Sequence, residues 1–216
     1  MLRISRLCVP VCALALGIGC DTANKPLFDA AIHGNRSSVE YALKNQGANI
    51  NAKNGDHNTP LIEAVQANNR ETVTALLDNG ADPNVGDEDQ DTALHFAAKK
   101  DFVDVGRILL DHKANPNAKD EDGDTPLTIA ANNGYLDFAK MLVGQGADVN
   151  IKENDGRTAL HEAAKNGYAE IVRLLLDHGA DASARDNAGA TAYSLAVANN
   201  YRDIAEILKS RTPNVH

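Results

Sequence analysis

The sequence predicts an all-α repeat solenoid, a row of helix-turn-helix units that each add a β-hairpin-like finger. A block that begins with threonine recurs five times at a constant spacing of 33 residues, without insertion or deletion. An alanine follows each threonine at the same distance, and apolar residues at helical spacing come next. The five blocks are Thr59-Pro60-Leu61, Thr92-Ala93-Leu94, Thr125-Pro126-Leu127, Thr158-Ala159-Leu160 and Thr191-Ala192-Tyr193.

Each of these threonines is the predicted N-cap of a short first helix. Its hydroxyl can accept a hydrogen bond from the first helical turn, and the prolines at the first helical position lose no hydrogen bond. The expected ends of the first helices are residue types that tolerate a left-handed backbone: Asn35, Asn68, Asp101, Gly134, Gly167 and Asn200.

The second helix of each unit is predicted from its apolar spacing, for example Ile171, Val172 and Leu175. It ends at a glycine in most repeats, but Lys113 stands at that position in one of them. If Lys113 adopts the left-handed conformation, Lys113→Gly should stabilise the array. The residues from each such end to the next threonine, such as 117–124, form the finger.

The repeated unit resembles the ankyrin repeat over about residues 25–211. The family signature is a Thr-Pro-Leu-His-x-Ala start to the first helix and a Gly-Ala-Asp after the second, as in Gly80-Ala81-Asp82 and Gly146-Ala147-Asp148. The resemblance implies that His95 and His161 act as hydrogen-bonding struts to the neighbouring backbone.

One position of the second helix shows where the array ends. It is occupied by Lys44, Leu77, Leu110, Val143, Leu176 and Lys209 in successive repeats. Lysine at both outermost positions is typical of capping repeats, so we expect six stacked repeats over 26–211. Their expected bounds are 26–58, 59–91, 92–124, 125–157, 158–190 and 191–211, with a linker at 21–25 and a tail at 212–216.

Residues 1–20 have the pattern of a bacterial secretory signal peptide. Arg3 and Arg6 precede an apolar run over 7–18, which is shorter than the roughly 20 residues that a membrane span needs. All three cysteines of the chain, Cys8, Cys12 and Cys20, lie in this segment.

The end of this segment resembles a bacterial lipoprotein box, because the small residue Gly19 precedes Cys20. We therefore expect lipidation at Cys20 and a periplasmic, membrane-anchored protein, and Asp21 favours the inner membrane. The alternative is ordinary cleavage that yields a soluble secreted protein.

The net charge of the chain limits the kind of partner that it can bind. Without residues 1–20 the chain has 19 basic and 30 acidic residues, a formal charge of −11. Such a field repels nucleic acid and anionic lipid and favours a basic protein surface. We expect a monomer that binds a protein partner, no nucleic acid, and a membrane only through the N-terminal lipid.

No pattern in the sequence indicates catalysis, a cofactor or a metal. The chain has no Gly-x-Ser-x-Gly, Walker or His-Glu-x-x-His motif. His95 and His161 stand two repeats apart, roughly 20 Å, which is too far to share a metal. We therefore expect that the protein is not an enzyme. The alternative function is a hydrolase that uses fingertip carboxylates. This alternative is disfavoured because exposed loops offer no pocket that shifts the pKa of a carboxyl group.

Acidic residues concentrate on three adjacent fingers. The run Asp120-x-Asp122-x-Asp124 is similar to a calcium loop, but its glycine is Gly123 and no glutamate follows at the twelfth position. Solvated turns and an electrostatic edge for a basic partner are the other interpretations.

Aromatic residues recur in the turn between the helices at Phe102, Tyr135, Tyr168 and Tyr201. Packing of this turn against the neighbouring repeat is the favoured interpretation. A tyrosine-rich binding ridge is the alternative.

The resemblance implies binding through the concave face, which fingers and first helices form. Phe96 and Ile129 are the expected interface hot spot, unless they pack on the next repeat. The expected exposed helix positions are Glu63, Phe96, Ile129, Glu162 and Leu195, with Gln66, Lys99, Asn132 and Lys165 beside them and Asp89, Asp91, Asp122 and Asp124 on the flanking fingers. The predicted function is a scaffold or helper in the cell envelope, or alternatively an inhibitor that covers an envelope-acting enzyme.

Overall fold

The structure, a computed structural model, describes residues 21–211. The predicted signal peptide, Cys20 and the tail at 212–216 lie outside these residues. Twelve helices are present in the described range: α1 Asp21–His33, α2 Arg36–Gln46, α3 Pro60–Gln66, α4 Arg70–Asp78, α5 Ala93–Lys99, α6 Val103–Asp111, α7 Pro126–Asn133, α8 Leu136–Gly144, α9 Ala159–Asn166, α10 Ala169–Asp177, α11 Ala192–Ala198 and α12 Arg202–Arg211.

The helices form six consecutive pairs that stack in sequence order. Within each pair the two helices contact each other, as α3 and α4 do. Between pairs, first helices pack on first helices and second helices on second helices, so that two parallel layers run along the array. The predicted all-helical repeat solenoid is confirmed.

The core lies between these layers and repeats with the period of the chain. Leu61, Leu94, Leu127 and Leu160 occupy one position and are all fully buried. At the second-helix position that carries lysine in the first and last repeats, Leu77, Val143 and Leu176 are buried, whereas Lys44 and Lys209 are exposed. The two ends of the second-helix layer therefore carry the polar residues that the sequence predicts.

Two local expectations for the first repeat are wrong. Residues 21–25, expected to form a linker, belong to α1 instead. Asn35 does not end the first helix in a left-handed conformation; its φ is −139° and its side chain caps α2 by accepting from the Ser38 N–H. The other five predicted helix ends have positive φ, namely Asn68, Asp101, Gly134, Gly167 and Asn200.

The fingers are successive turns, and no strand occurs in the described residues. Backbone hydrogen bonds join neighbouring fingertips: Glu121 N–H donates to the Asp89 carbonyl at 2.9 Å, and Asn154 N–H donates to the Asp122 carbonyl at 3.1 Å. A side-chain ladder supports the finger bases, because the Asn117 Oδ1 accepts from the Asp148 N–H at 2.8 Å. The fingers are thus held in a fixed row beside the first helices.

No helix of the described chain has both the length and the hydropathy that a membrane crossing requires.

Candidate functional site

Two buried histidines fix the fingers to the first helices. The Nδ1 of His95 accepts from the Thr92 N–H at 3.1 Å. Its Nε2 therefore carries the proton and donates to the carbonyls of Ala118 at 3.1 Å and Asp124 at 3.2 Å. Burial lowers the pKa of His95 and of His161. His161 makes the same contacts two repeats later, with Thr158, Ala184 and Ala190.

Beside these struts, the concave face contains a cleft of about 320 Å³. Fingers and first helices of the third to fifth repeats form its walls. The lining side chains are Lys99, Asp124, Thr128, Ile129, Asn132, Asn133, Glu153 and Glu162. Within the described residues, no group of three or more His, Cys, Asp or Glu side chains is arranged to hold a metal ion.

In three repeats, the residue before the threonine N-cap is paired with the helix that follows. Such pairs satisfy the polar groups of the concave face locally. They are Asn58 Nδ2 with Glu63 Oε1 at 3.0 Å, Asp91 Oδ2 with Lys99 Nζ at 2.5 Å, and Arg157 Nη1 with Glu162 Oε1 at 3.3 Å.

Asp124 occupies the same position, directly before the N-cap Thr125, but has no such partner. The following helix presents Ile129 and Asn132 to it, and the Asp124 carboxyl makes no hydrogen bond or ion pair with any described residue. Burial, followed by the charges of Asp120 and Asp122, raises the pKa of Asp124 to about 6. The charge of Lys99, which lines the same cleft, lowers this pKa to a smaller extent. The carboxyl group thus lies near a cation but makes no hydrogen bond within the described residues.

Glu153 departs from a second repeated arrangement. In other fingers an Asp or Asn at this position accepts hydrogen bonds from the turn backbone: Asp87 Oδ1 from the N–H groups of Asp89 and Asp91, and Asp186 Oδ1 from those of Ala188 and Ala190. The side chain of Glu153 is one methylene longer and makes none of these bonds. It lines the cleft instead.

The environment of Glu153 disfavours its charged form. Burial, followed by the charges of Asp124 and Glu162, raises the pKa of Glu153 to about 8. The expectation that fingertip acids lack a pocket that shifts a pKa is therefore wrong for Asp124 and Glu153.

Two residues predicted to be exposed on this face are buried. Ile129 is 6% exposed and Glu162 is 5% exposed. Glu162 pairs with Arg157 at 3.3 Å and with Lys165 at 3.2 Å, which offsets the cost of burying its charge. Ile129 packs within the array. For Ile129 this supports the alternative interpretation, in which the residue packs on the next repeat and is not part of an interface hot spot.

The remaining predicted residues are distributed over a wider surface. Phe96 is half-buried, and the Lys99 Nζ lies 5.7 Å from its ring centroid. Asp91 is only 6% exposed. The cleft lining includes Lys99, Asp124, Ile129 and Glu162 but not Glu63, Phe96, Asp89, Asp91 or Asp122, of which Asp89 and Asp122 are exposed at the fingertips.

Glu153 belongs to the acidic fingers that the sequence indicates, but it was not among the predicted binding residues. The signal was present in the repeat: the position holds Asn54, Asp87, Asp120, Glu153 and Asp186 in successive fingers. Glutamate stands here where the other fingers have aspartate or asparagine. This difference indicates that the side chain does not accept the hydrogen bonds from the turn backbone that the other fingers have.

The aromatic turn residues pack on neighbouring repeats. A Cβ placed on Gly134 would lie 2.5 Å from the ring of Tyr168, and the same holds for Gly167 and Tyr201. All four aromatic residues of this position are partly buried against the core. The packing interpretation is therefore supported.

A family model described as ankyrin repeats (three copies) matches residues 8–87, 79–153 and 145–216. No curated protein matches the chain. Ankyrin repeats generally act as protein–protein interaction modules and are typically not enzymes. Since the three matches cover most of the sequence and the fold agrees with them, the chain belongs to the ankyrin-repeat family.

Proposed function

We propose that this protein binds a basic protein partner through its concave face, as a scaffold or helper in the bacterial cell envelope. The observation that carries the proposal is the cleft of the third to fifth repeats, which is lined by three carboxyl groups, Asp124, Glu153 and Glu162, and by one cation, Lys99. Charge complementarity of this kind favours a cationic surface and excludes an acidic one. The formal charge of −11 without residues 1–20 supports the same class of partner.

The envelope location rests on the signal-peptide pattern and on the resemblance of the residues before Cys20 to a lipoprotein box. Lipidation at Cys20 would attach a monomeric array to the membrane and leave its concave face free. Mass spectrometry of the protein purified from membranes tests this attachment. An unmodified chain that begins elsewhere would contradict it.

Affinity capture tests the use of the concave face. The array from Asn24 to His216 is incubated with solubilised envelope, beside a fingertip variant, Asp89→Lys/Asp122→Lys. A control, Glu170→Lys/Glu206→Lys, makes the same charge change at exposed positions of the second helices. We expect the fingertip variant to lose a partner that the parent and the control retain. Equal capture by all three proteins, or equal loss from both variants, would contradict the proposal.

The inhibitor alternative is favoured where the captured partner is an enzyme whose catalytic face is basic. An assay of the partner separates the two roles, since a scaffold leaves the bound partner active and an inhibitor abolishes its activity. The hydrolase alternative gains support from the raised pKa values of Asp124 and Glu153. It requires turnover by the purified array alone.

A further inference from the structure

We infer that the N-terminal end face of the array lies on the membrane surface. This end face is the side of α1 and α2 opposite to α3 and α4, the helices of the next repeat. The inference rests on the proposed lipidation of Cys20 and adds the orientation of the anchored protein. The occupant of the end face is the headgroup layer of an anionic bilayer, and the lipid on Cys20 is the tether.

The attachment point adjoins the end face. α1 begins at Asp21, so no linker separates Cys20 from the folded array. The start of α1 is fixed to the base of the first finger, because Asn24 Oδ1 accepts from the Asn49 N–H at 2.9 Å. A lipid on Cys20 therefore brings two surfaces near the bilayer, the end face and the row of fingers.

The distribution of charge selects between these two surfaces. Residues 21–49, which include α1 and α2, contain three basic and three acidic residues and are formally neutral. Residues 50–216 contain 16 basic and 27 acidic residues and carry the whole formal charge of −11. Anionic lipid therefore repels the acidic fingers but not the end face. The end face turns to the bilayer, and the concave face stays in solution.

Tyr41 is the most exposed large hydrophobic side chain of the described residues, at 60%. It lies six residues after the N-cap of α2, where α4 and α8 have the buried residues Ala75 and Met141. This position faces the preceding repeat, because a Cβ on Gly106 would lie 2.7 Å from the Met141 side chain. A tyrosine ring favours the bilayer boundary, since the ring is apolar and its hydroxyl group is polar. The headgroup layer provides such a boundary for Tyr41.

An open groove of about 580 Å³ runs along the end face between α1 and α2. Its lining combines small apolar surfaces with polar groups, and includes Pro26, Ala30, His33, Ser38, Tyr41 and Ala42. The exposed lysines Lys25 and Lys44 lie on the two helices that form the groove. Their ammonium groups are attracted to lipid phosphates at an anionic surface.

A second copy of the chain, stacked end to end, is the other candidate occupant of the end face. The opposite end of the array also exposes apolar side chains, Tyr193 and Val197. The second helices, however, carry exposed lysines at both ends, Lys44 and Lys209, so that such a stack brings like charges together. The membrane surface is therefore the favoured occupant.

Tryptophan fluorescence tests the orientation, because the chain contains no tryptophan. The chain from Cys20 to His216 has a single cysteine, which is coupled to maleimide phosphatidylethanolamine in vesicles of phosphatidylcholine and phosphatidylglycerol in equal parts. Tyr41→Trp reports on the end face, and Tyr193→Trp replaces an exposed tyrosine at the opposite end. We expect phosphatidylcholine with brominated acyl chains to quench about half of the emission of Tyr41→Trp and none of that of Tyr193→Trp.

A charge variant tests the contribution of the lysines. In the Tyr41→Trp protein, Lys44→Glu should reduce quenching by brominated lipid about twofold, because it replaces an attracted group with a repelled one. Lys140→Glu is the matched control and should leave quenching unchanged. Lys44 and Lys140 are both exposed, and each pairs with an acidic residue of its own helix at 3.6 Å.

Equal quenching of the two tryptophan variants, or no quenching of Tyr41→Trp, would overturn the inference. A blue shift of the Tyr41→Trp emission that brominated lipid does not quench would assign the end face to a second copy instead. Equal effects of Lys44→Glu and Lys140→Glu would also contradict the inference. Because the tether is attached chemically, none of these results depends on lipidation in cells, which mass spectrometry tests separately.

Discussion

Glu153 and Asp124 lie on adjacent fingers and line one cleft, where the charge of Asp124 adds to burial in raising the pKa of Glu153 to about 8. The folded state therefore holds a proton that the unfolded chain releases near the ordinary value of 4.5. Because the folded state binds more protons between these values, this group makes stability fall as pH rises through the window.

Glu153→Gln should remove that pH dependence. At pH 9 the variant should be more stable than the parent by about 1–2 kcal/mol, a value reduced for solvent screening at the cleft, and the two should be equal near pH 4. Urea unfolding of both proteins across this range measures the difference. A constant difference at all pH values would show that the carboxyl group does not retain its proton.

His95→Ala should destabilise the array by about 2–3 kcal/mol, because it leaves the buried carbonyls of Ala118 and Asp124 without their donor. His178→Ala is the matched control, since His178 is exposed and bonds only within its own helix turn. Chemical denaturation measures both. Equal effects would argue against the role of His95 as a strut.

The protonation of His95 should also destabilise the fold. Burial lowers its pKa below 6.5, so the unfolded state binds the proton more readily and this contribution to stability is lost as pH falls below that value. This pH dependence is opposite in sign to that of Glu153. Substitution of His95 by alanine should reduce the slope of stability against pH near pH 6, and His161 and Asp124 should supply the slope that remains. An unchanged slope would contradict the assignment.

Gly134→Ala should destabilise the array by about 1–3 kcal/mol. Gly134 has a φ of +80°, and an added Cβ would lie 2.5 Å from the Tyr168 ring. Gly144→Ala is the control, because a Cβ there meets nothing within 4 Å and alanine favours the helix. Thermal unfolding should show a lower midpoint for the first variant alone; equal midpoints would refute the close packing.

Lys113→Gly should stabilise the array by about 0.5–1 kcal/mol, since Lys113 has a φ of 69°. The Lys113 carbonyl accepts from Asn84 Nδ2 at 3.3 Å, and this contact survives the substitution. Differential scanning calorimetry measures the change. An unaltered or lower midpoint would contradict the cost assigned to the left-handed lysine.

The repeat architecture could be predicted from the sequence because one set of local rules acts six times. Threonine caps, left-handed helix ends and buried leucines follow directly from residue type and spacing. The site could be predicted only in part. Asp124 was found from its acidic finger, but the burial of Ile129 and Glu162 depends on contacts between repeats that spacing along one helix does not show.

Glu153 was recognised as a fingertip acid but was not predicted as a binding residue, for a different reason. The side chain of Glu153 is one methylene longer than that of aspartate, so its carboxyl group does not bond to the turn backbone. This difference is visible only when the residues at this position are compared across the fingers. Pairing of Arg157 with Glu162 likewise joins two residues that, taken singly, suggest only a solvated surface.

Hydrogen–deuterium exchange of the array with its captured partner tests concave-face binding most directly. We expect slower exchange in the fingers that precede α7 and α9 and in these two helices, at 119–133 and 152–166. We expect unchanged exchange in the second helices α8 and α10, Leu136–Gly144 and Ala169–Asp177. Protection confined to the second helices would contradict it.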